Sequence, residues 1–394
     1  LEIAQPKGAI AKDLAHAEQL AEEIGYPVLL RPSYVLGGRA MAIVSNAENL
    51  RQFGREALQV SMGGNLLVDK FLEDAMEADV DCLGDGSNVV VAGILQHIEE
   101  AGVHSGDSAC VVTPNRISDE HLAQIRSVCH KIGKAVGLVG LMNVQFAIKD
   151  GVVYVIEVNP RASRTVPFLA KATGLALAAK ACGLLLGESL AEVGLTREPR
   201  VDGCFVKEAL IPFRKFPGCS TLLGPEMRST GEVMGQSASF GEAFSKSQVA
   251  AGCALPATGN VLFTINDLDK PTIFPVAEAF AELGFELYAT PGTATYLNER
   301  GLRVQSVPKL AEGERRILDL IKDGTIHAVI NTPLWGASYE DGILIRRAVI
   351  EKGTTLISTS EAAFAAVEAI KALRDGVTSV RAVQDWLRVP TQVC

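Results

Sequence analysis

MNVQFAIKDGVVYVIEVNPRASR, residues 142–164, decides the fold. It reads as two β-strands around Lys149-Asp150-Gly151, each alternating with the period of two that sends successive side chains to opposite faces. Val144, Phe146, Ile148, Tyr154, Ile156 and Val158 make an apolar face. Gln145, Ala147, Val155, Glu157 and Asn159 make the other, and an amide–carboxylate–amide set has no place in a core. A two-residue Asp-Gly turn would set Gln145 opposite Ile156. A three-residue loop with Gly151 at positive φ would pair Gln145 with Glu157 and gather the polar oxygens on one side, so the three-residue loop is expected. Hard oxygen ligands on adjacent strands suit Mg²⁺, which takes one or two carboxylates plus substrate phosphates. Arg161 and Arg164 follow at once, and guanidinium forks suit phosphoryl oxygens. An ordinary amphipathic hairpin with a polar outer face is the plainer alternative.

Working outward, 394 residues with 48% hydrophobic and 21% charged side chains describe a soluble globular protein of two or three domains. A net charge of −9 argues against a general nucleic-acid surface, so any anion site must be local. Eight scattered cysteines without a C-x-x-C argue for a reducing, cytoplasmic setting and against a zinc site. No apolar run reaches the ~18 residues of a membrane span and no signal peptide opens the chain, so no membrane partner is expected. Leu1 in place of an initiator Met reads as a start inside a larger protein.

Before the hairpin, residues 12–25 read as a helix closed by Gly25. A strand from Pro27, the Gly37-Gly38 turn and a second strand through Val44 follow. A glycine pair there either lets backbone N–H groups approach a phosphate or is simply a tight turn. Leu66–Phe71, Glu77–Leu83 and Val89–Ile98 are strands. Gly102–Ser108 is a small-residue loop carrying His104, and Ser118–Val136 is an amphipathic helix. Residues 165–186 read as one buried apolar helix. Antiparallel strands with helices to one side make an α+β layer.

Beyond the hairpin come a strand within Val201–Phe216, an irregular Pro/Gly-rich stretch (216–235) and a short helix around Ala243–Ala250. Past a linker at 252–259 the rhythm changes. Val261–Ile265, Phe285–Ala289, Val304–Val307, Ala328–Asn331 and Thr355–Ile357 alternate with helices, including Glu312–Lys322 and Glu340–Glu351, as in a parallel α/β sandwich. The expected domains are therefore 1–251 and 260–394. Ligands of such sheets bind beyond the carboxyl ends of strands. There stand Thr264, Asn266, Lys270, Thr290, Thr293, Lys309, Asn331 and Thr332, a phosphate or carboxylate cradle backed by a helix N-terminus after Gly292. Each alone also serves as an ordinary cap or turn residue.

Both parts resemble the large subunit of carbamoyl phosphate synthetase, in its carboxyl-terminal half. The stretches that carry the likeness are RPSYVLGGRAM (31–41), EADVDCLGDG (77–86), AGVHSGDSA (101–109), LMNVQFA (141–147), YVIEVNPRASRTVPF (154–168), KFPG (215–218) and LLGPEMRSTGEVMG (222–235). The resemblance implies an α+β ATP-grasp domain, lacking its preceding α/β subdomain, followed by an α/β parallel-sheet methylglyoxal-synthase-like domain. By motif, Arg31 would sit on the nucleotide phosphates. Lys70, where relatives often carry Arg, would line the adenosine end with Leu72 and Glu77. Gly102, Val103, His104 and Ser105 would contact it from the neighbouring loop. Gln145, Glu157 and Asn159 would hold Mg²⁺ or Mn²⁺, and Arg161 and Arg164 would steady carbamate and the transferring phosphoryl. Glu99, Asp107 and Glu208 correspond to an acidic pocket for ornithine, though exposed acids in loops are commonly just solvated. In the second domain, Thr264, Lys270, Thr290, Thr293, Lys309, Asn331 and Thr332 match positions that bind a nucleotide monophosphate, UMP- or IMP-like. Thr332-Pro-Leu-Trp-Gly336 replaces the Gly-Gly-Asp loop of true methylglyoxal synthases.

The implied activity is that of a ligase using ATP to phosphorylate carbamate, within glutamine-dependent carbamoyl phosphate synthesis for pyrimidines and arginine. K⁺ would be a further cation. The implied partners are a glutaminase small subunit and the amino-terminal half of the large subunit, in an oligomer. Two other readings stay open: a regulatory and assembly fragment that binds an effector without catalysis, and another ATP-grasp ligase joining a carboxylate to an amine. The acidic Glu99, Asp107 and Glu208 set argues against the last.

Overall fold

The computed structural model describes residues 1–387 except 34, 36, 62, 63, 100, 216–220, 222, 311–315, 333–336 and 377. The expected KFPG motif (215–218) therefore lies outside the described residues beyond Lys215, as do the 333–336 loop, residue 222 and the start of the helix expected from Glu312. Two compact units form: Leu1–Asp202 with Leu223–Arg228 and Arg381–Cys394, and Gly203–Leu222 with Ser229–Val380.

The first unit opens with β1 (Gly8–Ala11), α1 (Leu14–Ile24), β2 (Val28–Pro32), β3 (Ala42–Val44), α2 (Ala47–Val60) and β4 (Leu66–Lys70). The strands form an antiparallel sheet in the order β1-β4-β2-β3. Alternation sends Val28, Leu30, Leu66 and Val68 into a core with Ala17, Ala21, Leu50 and Ala57 of the two helices. Asp13 caps α1 and Asn46 caps α2, each side chain accepting a backbone N–H three residues on. The reading of the sequence assigned nothing to β1 or α2. Gly54 interrupts the α2 pattern, yet a Cβ there would come within 2.7 Å of Leu14, so it is what lets α2 sit close on α1.

Next come β5 (Met76–Asp85), β6 (Val89–His97), β7 (Cys110–Val112), α3 (Asp119–Ala135), β8 (Val139–Lys149), β9 (Val152–Asn159), α4 (Thr165–Thr173) and α5 (Leu177–Leu185). Strands β7-β6-β5-β8-β9 lie side by side, antiparallel throughout. Helix α3 covers one face, burying Ile125, Cys129 and Ile132 against Val80, Val91, Met142, Val144 and Phe146. The single helix expected over 165–186 is in fact two, α4 and α5, bent by 111°. Gly174, at φ 71°, ends the first in the left-handed conformation that only glycine adopts cheaply. The segment is also less buried than expected, since Leu185 and Leu186 are 65% and 87% exposed. No single described helix is long and apolar enough to cross a membrane; the bent pair passes only on length and composition.

The second unit pairs β10 (Cys204–Leu210) with β11 (Gly231–Ser237) antiparallel, followed by α6 (Phe240–Ala251). Then β12 (Asn260–Ile265), α7 (Lys270–Glu282), β13 (Glu286–Ala289), α8 (Pro291–Asn298), β14 (Val304–Ser306), α9 (Arg316–Lys322), β15 (Ala328–Thr332), α10 (Ala337–Lys352), β16 (Thr355–Ile357) and α11 (Ser360–Asp375) alternate strictly. The five strands are parallel in the order β14-β13-β12-β15-β16. The chain winds outward from β12 in both directions, so the switch point lies between β12 and β15.

Candidate active site

The loop expected between β8 and β9 has three residues; the observed one has two. Lys149 pairs with Val152 across Asp150-Gly151, both at positive φ (50° and 76°), as a tight hairpin turn of the Asn/Asp-Gly kind requires. That register continues through Phe146↔Val155 and would next place Gln145 opposite Ile156. Instead the ladder shifts between Phe146 and Gln145, and Gln145 pairs with Glu157, Val144 with Val158 and Asn143 with Asn159. Ile156 is the extra residue of a β-bulge. The pairing expected from the sequence is therefore present, produced by a different device.

The bulge also rearranges the faces. Val155, expected on the polar face, packs against the core with Val153 and Val158, whereas Tyr154 and Ile156, expected in the core, are absent from that cluster. Without the extra residue Glu157 would follow Val155 into the apolar layer. With it, Glu157 joins Gln145 on the opposite face.

Gln145 donates its amide N–H to Ser105 Oγ at 3.0 Å, which leaves its carbonyl oxygen open. No described residue pairs with the Glu157 carboxylate or the Asn159 side-chain amide. One carboxylate and two amide oxygens thus remain available on neighbouring positions, a donor set that fits Mg²⁺ sharing its shell with phosphates and water. Among the described residues no three His, Cys, Asp or Glu side chains converge as a metal site.

Beneath this face lies a layer that the sequence reading missed. Asp79 and Asp81 of β5 stand opposite Gln145 and Asn143. Both are buried, 2% and 1% exposed. Asp79 meets His97 Nε2 at 2.9 Å, and Glu77 lies 3.3 Å from His97 Nδ1. Burial alone would lower the His97 pKa, but Cys110, Asp79 and Glu77 outweigh it and raise it well above the usual histidine value. Asp81 accepts from Asn143 Nδ2 (3.1 Å), Ser163 Oγ (2.7 Å) and Thr165 Oγ1. Burial pushes the Asp81 carboxyl up to about 6 against those hydrogen bonds. The signal was in Glu77-x-Asp79-x-Asp81: three acids at strand period share one face.

The remaining nucleotide-binding candidates divide. Residues 102–105 run beside the polar face. A Cβ on Gly102, at φ 107°, would meet Ile43 at 2.9 Å and Phe71 at 3.0 Å. His104 is held by Gly224, whose carbonyl accepts its N–H at 2.8 Å, and its ring accepts from Gly106 N–H at 3.0 Å. Burial, together with the nearby Arg164 charge, lowers its pKa against the pull of Asp107. Arg31 is engaged at 3.3 Å by Asp69 on the outer face of the four-stranded sheet. Lys70 points to the other face and donates to the Gly25 and Tyr26 carbonyls at 3.0 and 2.9 Å. Leu72 is half-buried. Arg161 and Arg164 are exposed; the first touches the Ala162 carbonyl and the second lies against the Met227 sulfur. The Gly37-Gly38 turn has a packing reason of its own, because a Cβ on Gly38 would strike the Pro225 carbonyl at 2.0 Å.

The acids of the expected ornithine pocket are each in use. Glu99 accepts from Ala109 N–H at 2.6 Å, Asp107 from Arg228 N–H at 2.7 Å, and in the second unit Glu208 accepts from the Gln248 amide.

At the strand ends of the second unit, Thr264 pairs with Asn331 and Ile265 with Thr332. Asn266 Nδ2 donates to the Thr332 carbonyl at 2.8 Å. Thr290 and Thr293 are buried, and Thr293 Oγ1 donates to the Ile265 carbonyl at 3.2 Å. Lys270 pairs with Asp267, and a Cβ on Gly292 at the start of α8 would lie 3.3 Å from its ammonium. That pairing and Lys309 lower the Asp267 pKa. Arg346, absent from the sequence reading, donates to Asn331 Oδ1 at 2.6 Å and is 4% exposed. The Asn331 Nδ2 it leaves is buried without a partner among the described residues.

Two family profiles match the chain. The ATP-binding domain of the carbamoyl-phosphate synthase L chain covers residues 1–193, and the MGS-like domain covers residues 272–358. Carbamoyl phosphate synthase large chains from Methanoculleus marisnigri and Pasteurella multocida are 48% and 49% identical over 374 and 386 residues, 95% and 98% of this chain. The chain belongs to the carbamoyl phosphate synthase large-chain family. It spans about a third of those two large chains, 35% and 36% of their length. Its fold has solved counterparts outside the large chains. The biotin carboxylase domain of Hydrogenobacter thermophilus 2-oxoglutarate carboxylase, crystallised with MgADP, ADP and bicarbonate, superposes with TM-score 0.52 at 22% identity, over 63% of this chain and 62% of that one. A threonine-to-alanine variant of Rhizobium etli pyruvate carboxylase, solved with acetyl coenzyme A, gives 0.51 at 20% identity, over 64% of this chain and 25% of the other. The large-chain segment is thus an ATP-grasp fold joined to an MGS-like parallel sheet.

Proposed function

We propose that this large-chain segment phosphorylates carbamate with ATP, giving carbamoyl phosphate and ADP. The observation that carries the reading is the bulge-made pairing of Gln145 with Glu157, which leaves oxygen donors open beside two exposed arginines. A carbamate oxygen attacks the γ-phosphorus, the bond to the ADP oxygen breaks, and no proton has to move. A general base is therefore unnecessary; positioning and charge neutralisation suffice. Gln145, Glu157 and Asn159 would hold Mg²⁺ or Mn²⁺, which when bound neutralises charge on the phosphates. Arg161 and Arg164 orient carbamate and the transferring phosphoryl. Glu77, beside His97, together with Arg31, Leu72 and residues 102–105, lines the nucleotide, and Lys70 enters only through the backbone of β4 because its ammonium is engaged on the other face. The strand ends at Thr264, Lys270, Thr290, Thr293, Lys309, Asn331 and Thr332 take a nucleotide monophosphate effector. K⁺ is a further cation of the assembly. The remainder of a large chain and a glutaminase subunit complete a cytoplasmic oligomer serving pyrimidine and arginine synthesis.

The test is the reverse reaction, ATP formed from ADP, Mg²⁺ and carbamoyl phosphate, with calorimetric titration of MgADP. The expected result is ATP formation and saturable MgADP binding. Binding of UMP without any MgADP binding would overturn the reading in favour of a purely regulatory segment.

A further inference from the structure

We infer that Asp81 is a positioning residue for the phosphoryl-transfer site, acting through the two hydroxyls that flank Arg164. Ser163 and Thr165 precede and follow that arginine, and both donate to the same buried carboxylate, Ser163 to Oδ1 and Thr165 to Oδ2. The two hydroxyls also meet each other at 2.7 Å. The third ligand of the carboxylate, Asn143, belongs to β8 and pairs across the ladder with Asn159. One side chain of β5 therefore bonds two pieces of the site directly, the strand carrying Gln145 and the turn carrying Arg164, and reaches the strand carrying Glu157 and Asn159 only through the Asn143–Asn159 pairing.

Besides these bonds the turn has the Arg161 N–H on the Asn159 carbonyl at 2.8 Å and the Arg164 guanidinium against the Met227 sulfur. Arg164 occupies the N-cap of α4 with no side-chain cap of its own, and both Arg161 and Arg164 are exposed. A long guanidinium side chain on an untethered turn samples several rotamers, and ordering it costs entropy at the moment of reaction. Tying the residues on either side to a rigid strand removes most of that cost in advance. Apolar contact alone would not fix the azimuth of the turn, whereas two hydroxyls on the two oxygens of one carboxylate do. The buried charge faces the first turn of α4, where the helix dipole favours it.

The inference rests on the carbamate-phosphorylating reading, and the experiment separates the two. ATP formation from MgADP and carbamoyl phosphate is measured in the full-length large chain for wild type, Ser163→Ala, the pair Ser163→Ala with Thr165→Val, and the conservative Thr165→Ser. Thermal midpoint and hydrogen exchange of amides 161–165 are followed alongside. The expected result is a 10- to 100-fold fall in kcat for the pair, the size a misplacement of about 1 Å produces. A raised KM for carbamoyl phosphate, an unchanged KM for ADP and faster exchange at 161–165 accompany it. Thr165→Ser stays within about twofold of wild type, because it keeps the hydroxyl. The inference is overturned if kcat per active site is unchanged, or if the loss merely follows the amount of folded protein. Should the pair not fold, Ser163→Ala alone decides by the same criteria. A wild type that forms no ATP removes the functional reading instead, while the exchange data still show whether Asp81 holds the turn.

Discussion

Gln145 stands directly opposite Glu157 in the β8–β9 ladder although the hairpin turn between them, taken alone, would set Gln145 against Ile156. The shift comes from one extra residue and moves Glu157 from the apolar layer to the face of Gln145. Replacing Glu157 by Ala is expected to weaken Mg²⁺-dependent nucleotide binding by on the order of 100-fold, the upper end for groups that tune a metal shell. Calorimetry with and without Mg²⁺ checks this. Equal loss in both conditions would detach Glu157 from the cation.

The two-residue turn makes its own demand. Gly151 sits at φ 76° with nothing near the place a Cβ would occupy, so substitution there is a purely conformational matter. Gly151→Val is expected to cost about 1–2 kcal/mol and Gly151→Asn clearly less, because Asn tolerates the left-handed region. Urea unfolding of the two variants decides, and equal costs would count against the turn as described.

Asp81 gives a signature in acid. Its carboxyl titrates at about 6 in the fold against 3.8 ordinarily, so the folded protein holds that proton more tightly than the unfolded chain. Its contribution therefore favours the fold at low pH, declines as pH rises through 4–6, and is level above, a swing of about 3 kcal/mol. Asp81→Asn removes the swing. The stability difference between variant and wild type should change across that window and be constant from pH 7 upward; a pH-independent difference would refute the assignment.

His104 carries the opposite sign. Burial and Arg164 depress its pKa below 6.5, so the neutral ring contributes stability above pH 6.5 that is lost as pH falls through the depressed value. An NMR titration of the His104 ring should give a midpoint below 6.5. A midpoint above it would mean that Asp107 governs the ring.

In the second unit Lys270 lies against the N-terminus of α8, where an anion would be met by backbone N–H groups and an ammonium together. Lys270→Ala is expected to weaken binding of a nucleoside monophosphate about tenfold. Fluorescence or calorimetric titration reads this, and unchanged affinity would place the effector elsewhere.

The parallel sheet was legible almost strand by strand, because strict alternation of short apolar runs with helical stripes leaves few choices. Gln145, Glu157 and Asn159 were legible because polar residues at strand period contradict a core. The bulge was not, since period-two reading assumes an unbroken ladder, and so Val155 and Tyr154 were exchanged between faces. The Asp79, Asp81 and His97 layer escaped because each acid, read singly, looks like a solvated surface charge. The break at Gly174 was hidden inside a run of small apolar residues that would suit one long helix.

One connection reaches further than its length suggests. The short backbone run from Gly224 to Arg228 accepts the His104 N–H, donates to Asp107, and through Met227 donates to the Gly37 carbonyl at 3.0 Å. Two loops more than sixty positions apart in sequence are thus sewn to a single thread. A protease nick anywhere in that run would slacken both together, so the nucleotide side of the site should lose its order in one step rather than piece by piece.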